Sequence, residues 1–119
     1  RISIVGQKIN SDGQVEFGTL GYGKGAKTRL KLKVRDQDGD LRLAKINVRP
    51  SFVNVTLTPA SVEGVTGLYD LVVEVPPDAE PCGYRGDAMG TIDFEFAHPR
   101  IKDLQLLVDF SVRPPKETR

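Results

Sequence analysis

Apolar and polar residues alternate with a period of two along most of this 119-residue chain. The clearest stretch is 90–112. Ile92, Phe94 and Phe96 alternate there with Asp93 and Glu95. Leu104, Leu106, Val108, Phe110 and Val112 alternate with Gln105, Asp109 and Ser111. Successive side chains of a strand point to opposite faces, so the pattern predicts two strands, each with one buried face. His98-Pro99 lies between them as the turn of an antiparallel hairpin, with residue 98 held extended by the proline that follows. Earlier runs read the same way. Strands are predicted at 2–5, 14–20, 27–35, 41–49, 51–58 and 67–75. The inward sets are Val15 and Phe17, then Leu30, Leu32 and Val34, then Ala44, Ile46 and Val48, then Val53, Val55 and Leu57, then Tyr69, Leu71, Val73 and Val75.

Turn chemistry separates these runs. Asn10-Ser11-Asp12-Gly13 is a turn with Gly13 at positive φ. Gly21-Tyr22-Gly23-Lys24-Gly25 reads as a flexible glycine-rich loop; it lacks the Lys-Ser/Thr ending of a phosphate loop, and no helix follows. Asp36–Asp40 is an Asp-Gly turn. Pro76-Pro77 and Pro81-Cys82-Gly83 bound a loop that carries Cys82 and Tyr84. No window long enough for a helix shows a helical stripe. About seven to nine strands, spaced roughly 8–14 residues apart, predict an all-β sandwich, with a closed barrel as the alternative. The Pro-rich connection at 76–83 suits a crossing between two sheets and favours the sandwich. Residues 1–113 are expected to form one domain and 114–119 a polar, Pro-rich tail.

Residues 52–112 resemble the second half of the immunoglobulin-like domains found in bacterial envelope and surface proteins. The resemblance rests on Leu57-Thr58-Pro59, Gly67-Leu68-Tyr69-Asp70-Leu71, Val75-Pro76-Pro77, Gly90-Thr91-Ile92, and His98-Pro99 with the closing 108–112 strand. It implies an immunoglobulin-like antiparallel β-sandwich. It also implies an extracytoplasmic, non-enzymatic module of a larger bacterial protein, acting as a spacer or docking domain. These motifs are turn formers and core positions, so they bring no functional residue with them.

Net charge is +1, which demands no polyanionic partner, but the charge is unevenly spread. Residues 1–60 hold 11 Lys/Arg against 5 Asp/Glu, and residues 61–119 hold 6 against 11. The most concentrated feature is Lys27, Arg29, Lys31, Lys33 and Arg35, which alternation places on one strand face, with Lys24 extending the row. One reading is a contact surface for an anionic or carbohydrate polymer, aided by Tyr22 or Tyr84. The other is a solvated face paired with Asp70 and Glu74 of the strand at 67–75, which lies alongside in immunoglobulin-like order. No aromatic residue interleaves the row, which argues against single-stranded nucleic acid.

The remaining chemistry is sparse. Asp36, Asp38 and Asp40 have the alternate spacing of a calcium loop, but Gly39 and Leu41 break the EF-hand pattern, and Asn47 stands where the bidentate Glu belongs. Cys82 is the sole cysteine, so no intramolecular disulfide forms. With His98 as the sole histidine, neither a transition-metal site nor a nucleophile–base pair is apparent. No cofactor and no enzymatic activity are expected; the expected partner is a protein or a surface polymer. No apolar run has the length of a membrane helix. The chain opens on Arg1 rather than Met, as expected of a piece of a longer polypeptide.

Overall fold

The computed structural model of the chain describes residues 2–34, 43–59, 67–97 and 103–115. Nine strands are found among them: β1 (Ile2–Gly6), β2 (Gln14–Leu20), β3 (Ala26–Val34), β4 (Leu43–Arg49), β5 (Asn54–Pro59), β6 (Leu68–Val75), β7 (Cys82–Tyr84), β8 (Gly90–Phe96) and β9 (Asp103–Val112). A single 3-10 turn, Gly86–Ala88, separates β7 from β8. No helix among the described residues is long and apolar enough to cross a membrane.

The strands form two sheets. One has the order β1-β3-β6-β5; the other has β2-β9-β8-β4, with β7 also paired to β9. Setting β2 aside and counting β7 with β8, this is the four-plus-three strand order of an immunoglobulin-like sandwich. The expected neighbour of β3 is present: β3 and β6 pair antiparallel, with Lys31 opposite Asp70 and Lys27 opposite Glu74. The closing pair β8·β9 is antiparallel as predicted.

One pairing departs from the all-antiparallel expectation. β2 runs parallel to β9, from Gln14 beside Leu107 to Leu20 beside Val112. The cause is that the chain changes sheets between β1 and β2 instead of turning back on its neighbour. The crossing is held by the predicted Asn10 turn. Asn10 Oδ1 accepts the backbone N–H groups of Asp12 (2.9 Å) and Gln14 (3.1 Å), and Gly13 takes φ +74°.

The core lies between the inward sets. Phe94, Phe110, Leu30, Leu32, Leu71, Ile92 and Leu106 are among its fully buried side chains. Each contributes roughly 1.5–3 kcal/mol by leaving water. Among the described residues Thr28 is the buried polar member, and its hydroxyl donates to the Gln7 carbonyl oxygen at 2.9 Å. That bond satisfies the hydroxyl and ties the β1–β2 crossing to the inner face of β3.

Two local expectations are corrected. Ala44 is exposed, because the β4·β8 register shifts between Leu43 and Lys45 and breaks the alternation there. The 21–25 connection is exposed from Gly21 to Lys24 and meets the fold closely at its end, where a Cβ on Gly25 (φ +65°) would lie 2.7 Å from the Val75 carbonyl oxygen. Cys82 and Tyr84 belong to β7, opposite Val112 and Phe110, and are not in a loop. The 76–81 connection does cross from one sheet to the other, as its prolines suggested.

Candidate functional site

The outer face of the first sheet carries the basic row. Lys27, Arg29, Lys31 and Lys33 are exposed on β3, while Thr28, Leu30, Leu32 and Val34 are buried between them. Arg35 lies outside the described residues, and Lys24 sits in the turn before β3. Lys31 forms an ion pair with Asp70, and Lys27 stands opposite Glu74. Arg29 and Lys33 instead face Val72 and Leu68. Half of the described row therefore stands directly opposite a carboxylate, and Arg29 and Lys33 have carboxylates only on the diagonal, at Asp70 and Glu74. Exposed pairs of this kind contribute about 0.2–1 kcal/mol.

The outer face of the second sheet is richer in acid. Glu16, Asp93, Glu95, Asp103 and Asp109 belong to its strands, against Lys45 and Arg49. Arg85 reaches in from the β7–β8 break; its Nε donates to Asp109 at 2.9 Å and its Nη1 to Thr19 at 3.1 Å. Asp93 accepts from Gln105 Nε2 at 2.7 Å beside a shallow depression of about 520 Å³, lined also by Asn47, Arg49 and Thr91. The charge asymmetry between the two halves of the sequence thus becomes an interleaving. Basic β3 lies beside β6, and β4 lies beside acidic β8, with Lys45 opposite Glu95.

A second concavity, of about 450 Å³, opens where the 76–81 connection enters β7. Its apolar walls are Phe52, Pro76, Ala79, Pro81, Cys82 and Tyr84, and the exposed acidic residues Asp78 and Glu80 also line it. The walls are fixed from below. Ala79 is buried, and its N–H donates to the Pro76 carbonyl at 3.1 Å. Phe52 sits on the turn closed by Val53 N–H to Pro50 O at 3.1 Å. Tyr84 stacks on Phe110 with ring centroids 5.3 Å apart, and Phe52 meets both rings edge-on at 6.4 and 6.1 Å. The Cys82 thiol is pushed above its ordinary pKa by burial, opposed by a backbone hydrogen bond at Val112. Burial thus favours the neutral thiol over the thiolate.

Of the residues singled out in sequence, the cleft brings Cys82 and Tyr84 together. Tyr22 is exposed on the 21–25 connection and does not line the cleft. His98 and the Asp36, Asp38 and Asp40 set lie outside the described residues. Phe52, Asp78 and Glu80 had no sequence signal as site residues. The nearest hint was the bracketing of Asp78 and Glu80 by Pro76-Pro77 and Pro81.

No family model matches the chain, and no curated protein matches it. Among solved structures the chain is similar to the "Crystal structure of the S-layer protein SbsC domains 4 and 5", at 19% identity and a TM-score of 0.37. That match covers 92% of this chain and 51% of the other, so this chain spans about half the length of the one it matches.

Proposed function

We propose that this chain is a non-catalytic spacer or docking module of a larger extracytoplasmic bacterial protein. The observation that carries the spacer reading is the placement of the two terminal strands. β1 begins with Ile2 beside Val34, at one pole of the sandwich. β9 ends with Val112 beside Leu20, at the opposite pole, where the short 21–25 connection leads into β3. A pull on the two ends acts along the strands. It shears the β1·β3 and β2·β9 ladders with all their hydrogen bonds sharing the force. The resemblance of residues 52–112 to bacterial surface domains supports the extracytoplasmic setting.

Single-molecule pulling tests this reading. Handles beyond Ile2 and Val112 load the β2·β9 ladder in shear. Handles at Tyr22 and Arg113 load the same ladder from one pole, so its bonds break in succession. End-to-end rupture is expected at a several-fold higher force. Equal forces in the two geometries would remove the mechanical basis of the proposal.

A second reading, contact with an anionic or carbohydrate polymer, is favoured by one observation. Among the described residues Arg29 and Lys33 stand directly opposite Val72 and Leu68 and form no ion pair. Retention on heparin at low salt, lost on Arg29→Glu with Lys33→Glu, is the expected result. A chain that flows through at low salt rules it out.

A further inference from the structure

We propose that the cleft between the 76–81 connection and β7 receives an arginine side chain presented by a partner polypeptide. This deepens the docking reading and rests on it.

The walls and the charge point to the same occupant. Phe52 and Tyr84 offer ring surface, and Pro76 and Pro81 offer flat aliphatic surface. A planar, weakly hydrated guanidinium stacks on such surfaces better than a compact ammonium does. The titratable groups among the lining residues are Asp78, Glu80, Cys82 and Tyr84. Among the described residues no lysine or arginine lines the cleft, and neither Asp78 nor Glu80 has an ion-pair partner. The raised thiol pKa leaves Cys82 uncharged, so the two carboxylates set the sign of the site. Carboxylates accept from a guanidinium in a fork that fixes its orientation.

The volume of about 450 Å³ suits one long side chain with part of the backbone that carries it. A free amino acid fits the charge less well, because Asp78 and Glu80 repel its α-carboxylate. An arginine inside a chain has no such group. The cleft is also pre-formed. Gly25 packs against Val75 and Pro77 from below, and the Phe52, Tyr84 and Phe110 rings brace the other wall. Binding therefore needs little ordering of the apolar walls.

The probe is the blocked tripeptide acetyl-Ala-Arg-Ala-amide, titrated into the whole chain and followed by amide chemical shifts. Saturable shifts are expected at Ala79, Cys82 and Tyr84. The citrulline counterpart, neutral and of the same shape, is expected to bind at least about tenfold more weakly, as is the arginine peptide to the Asp78→Asn, Glu80→Gln double variant. Those two side chains are exposed, so the variant keeps the fold, and its unchanged spectrum away from the cleft checks this. Shifts centred elsewhere, no saturable shifts, or equal binding of the citrulline peptide would each overturn the proposal. None of these results touches the pulling measurement, so the spacer reading stands or falls separately.

Discussion

In the first sheet β3 pairs with β1 on one side and β6 on the other without a break in register, and β5 continues that order. In the second sheet two pairings slip, between Glu16 and Gly18 and between Leu43 and Lys45. A third strand line is interrupted between β7 and β8. Both sheets bury the same kind of inner face: β3 and β6 alternate strictly, and so do β8 and most of β9. The difference lies at the ends and edges. A regular ladder presents a flat row of side chains to solvent, whereas an interrupted one turns its chain aside and leaves a hollow. The basic row belongs to the regular sheet, and the cleft opens beside the interrupted one.

Four measurements break or sharpen this contrast. The largest effect is expected in the shared core. Phe94→Ala should cost roughly 3–5 kcal/mol and Leu71→Ala roughly 2–5 in chemical denaturation, because both are fully buried on opposite sheets. A much smaller loss at Phe94 would mean that the irregular sheet is also loosely packed. Next are two glycines with nearly equal φ. Gly18 (φ +73°) has open space around its missing Cβ, so Gly18→Ala should cost only the left-handed backbone penalty of about 1–2 kcal/mol. Gly25→Ala adds a close approach to the Val75 carbonyl and should cost more than about 2 kcal/mol. Equal losses would show that the 21–25 connection yields.

Lys31→Ala should cost under about 1 kcal/mol, since both it and Asp70 are substantially exposed. A loss comparable to that of Phe94→Ala would overturn the assignment of β3's faces. The smallest effect concerns Cys82. Its raised pKa means less thiolate in the folded chain than in the unfolded one at the same pH. Alkylation at mildly alkaline pH should therefore be slower in the folded chain, with the gap closing as pH rises through the folded value. By the same sign, any stability tied to this thiol is complete below the unfolded pKa and declines above it. Equal alkylation rates would mean that β7 does not shield the thiol.

The sequence was most legible where structure is local and periodic. β2 was read with its true bounds, and β3, β6 and the β8·β9 pair within a residue or so, because long runs of alternation record a single buried face. β7 was missed, since three residues between Pro81 and Arg85 are too few to display a period. The alternation points Ala44 inward, since a bulge resets the pattern without leaving a compositional mark. The parallel course of β2 beside β9 joins residues at opposite ends of the chain, and no local pattern encodes it. The cleft is illegible for the same reason. Phe52, Tyr84 and Phe110 meet only after the chain has crossed between sheets twice, so the sequence marks Pro76 and Pro81 only as turn formers and Cys82 and Tyr84 only as loop residues.

The interruption between β7 and β8 has a bearing on how this chain can change length. Tyr84 stands opposite Phe110 and Gly90 opposite Val108, so residues 85–89 occupy the space opposite Asp109 alone. The strand already absorbs these extra residues while its ladder stays in register on both sides. Arg85 closes the gap by bridging Asp109 and Thr19. Residues 86–88, all exposed, are therefore the place in this strand line where an inserted tag or fluorophore is expected to leave the β7·β9 and β8·β9 registers unchanged.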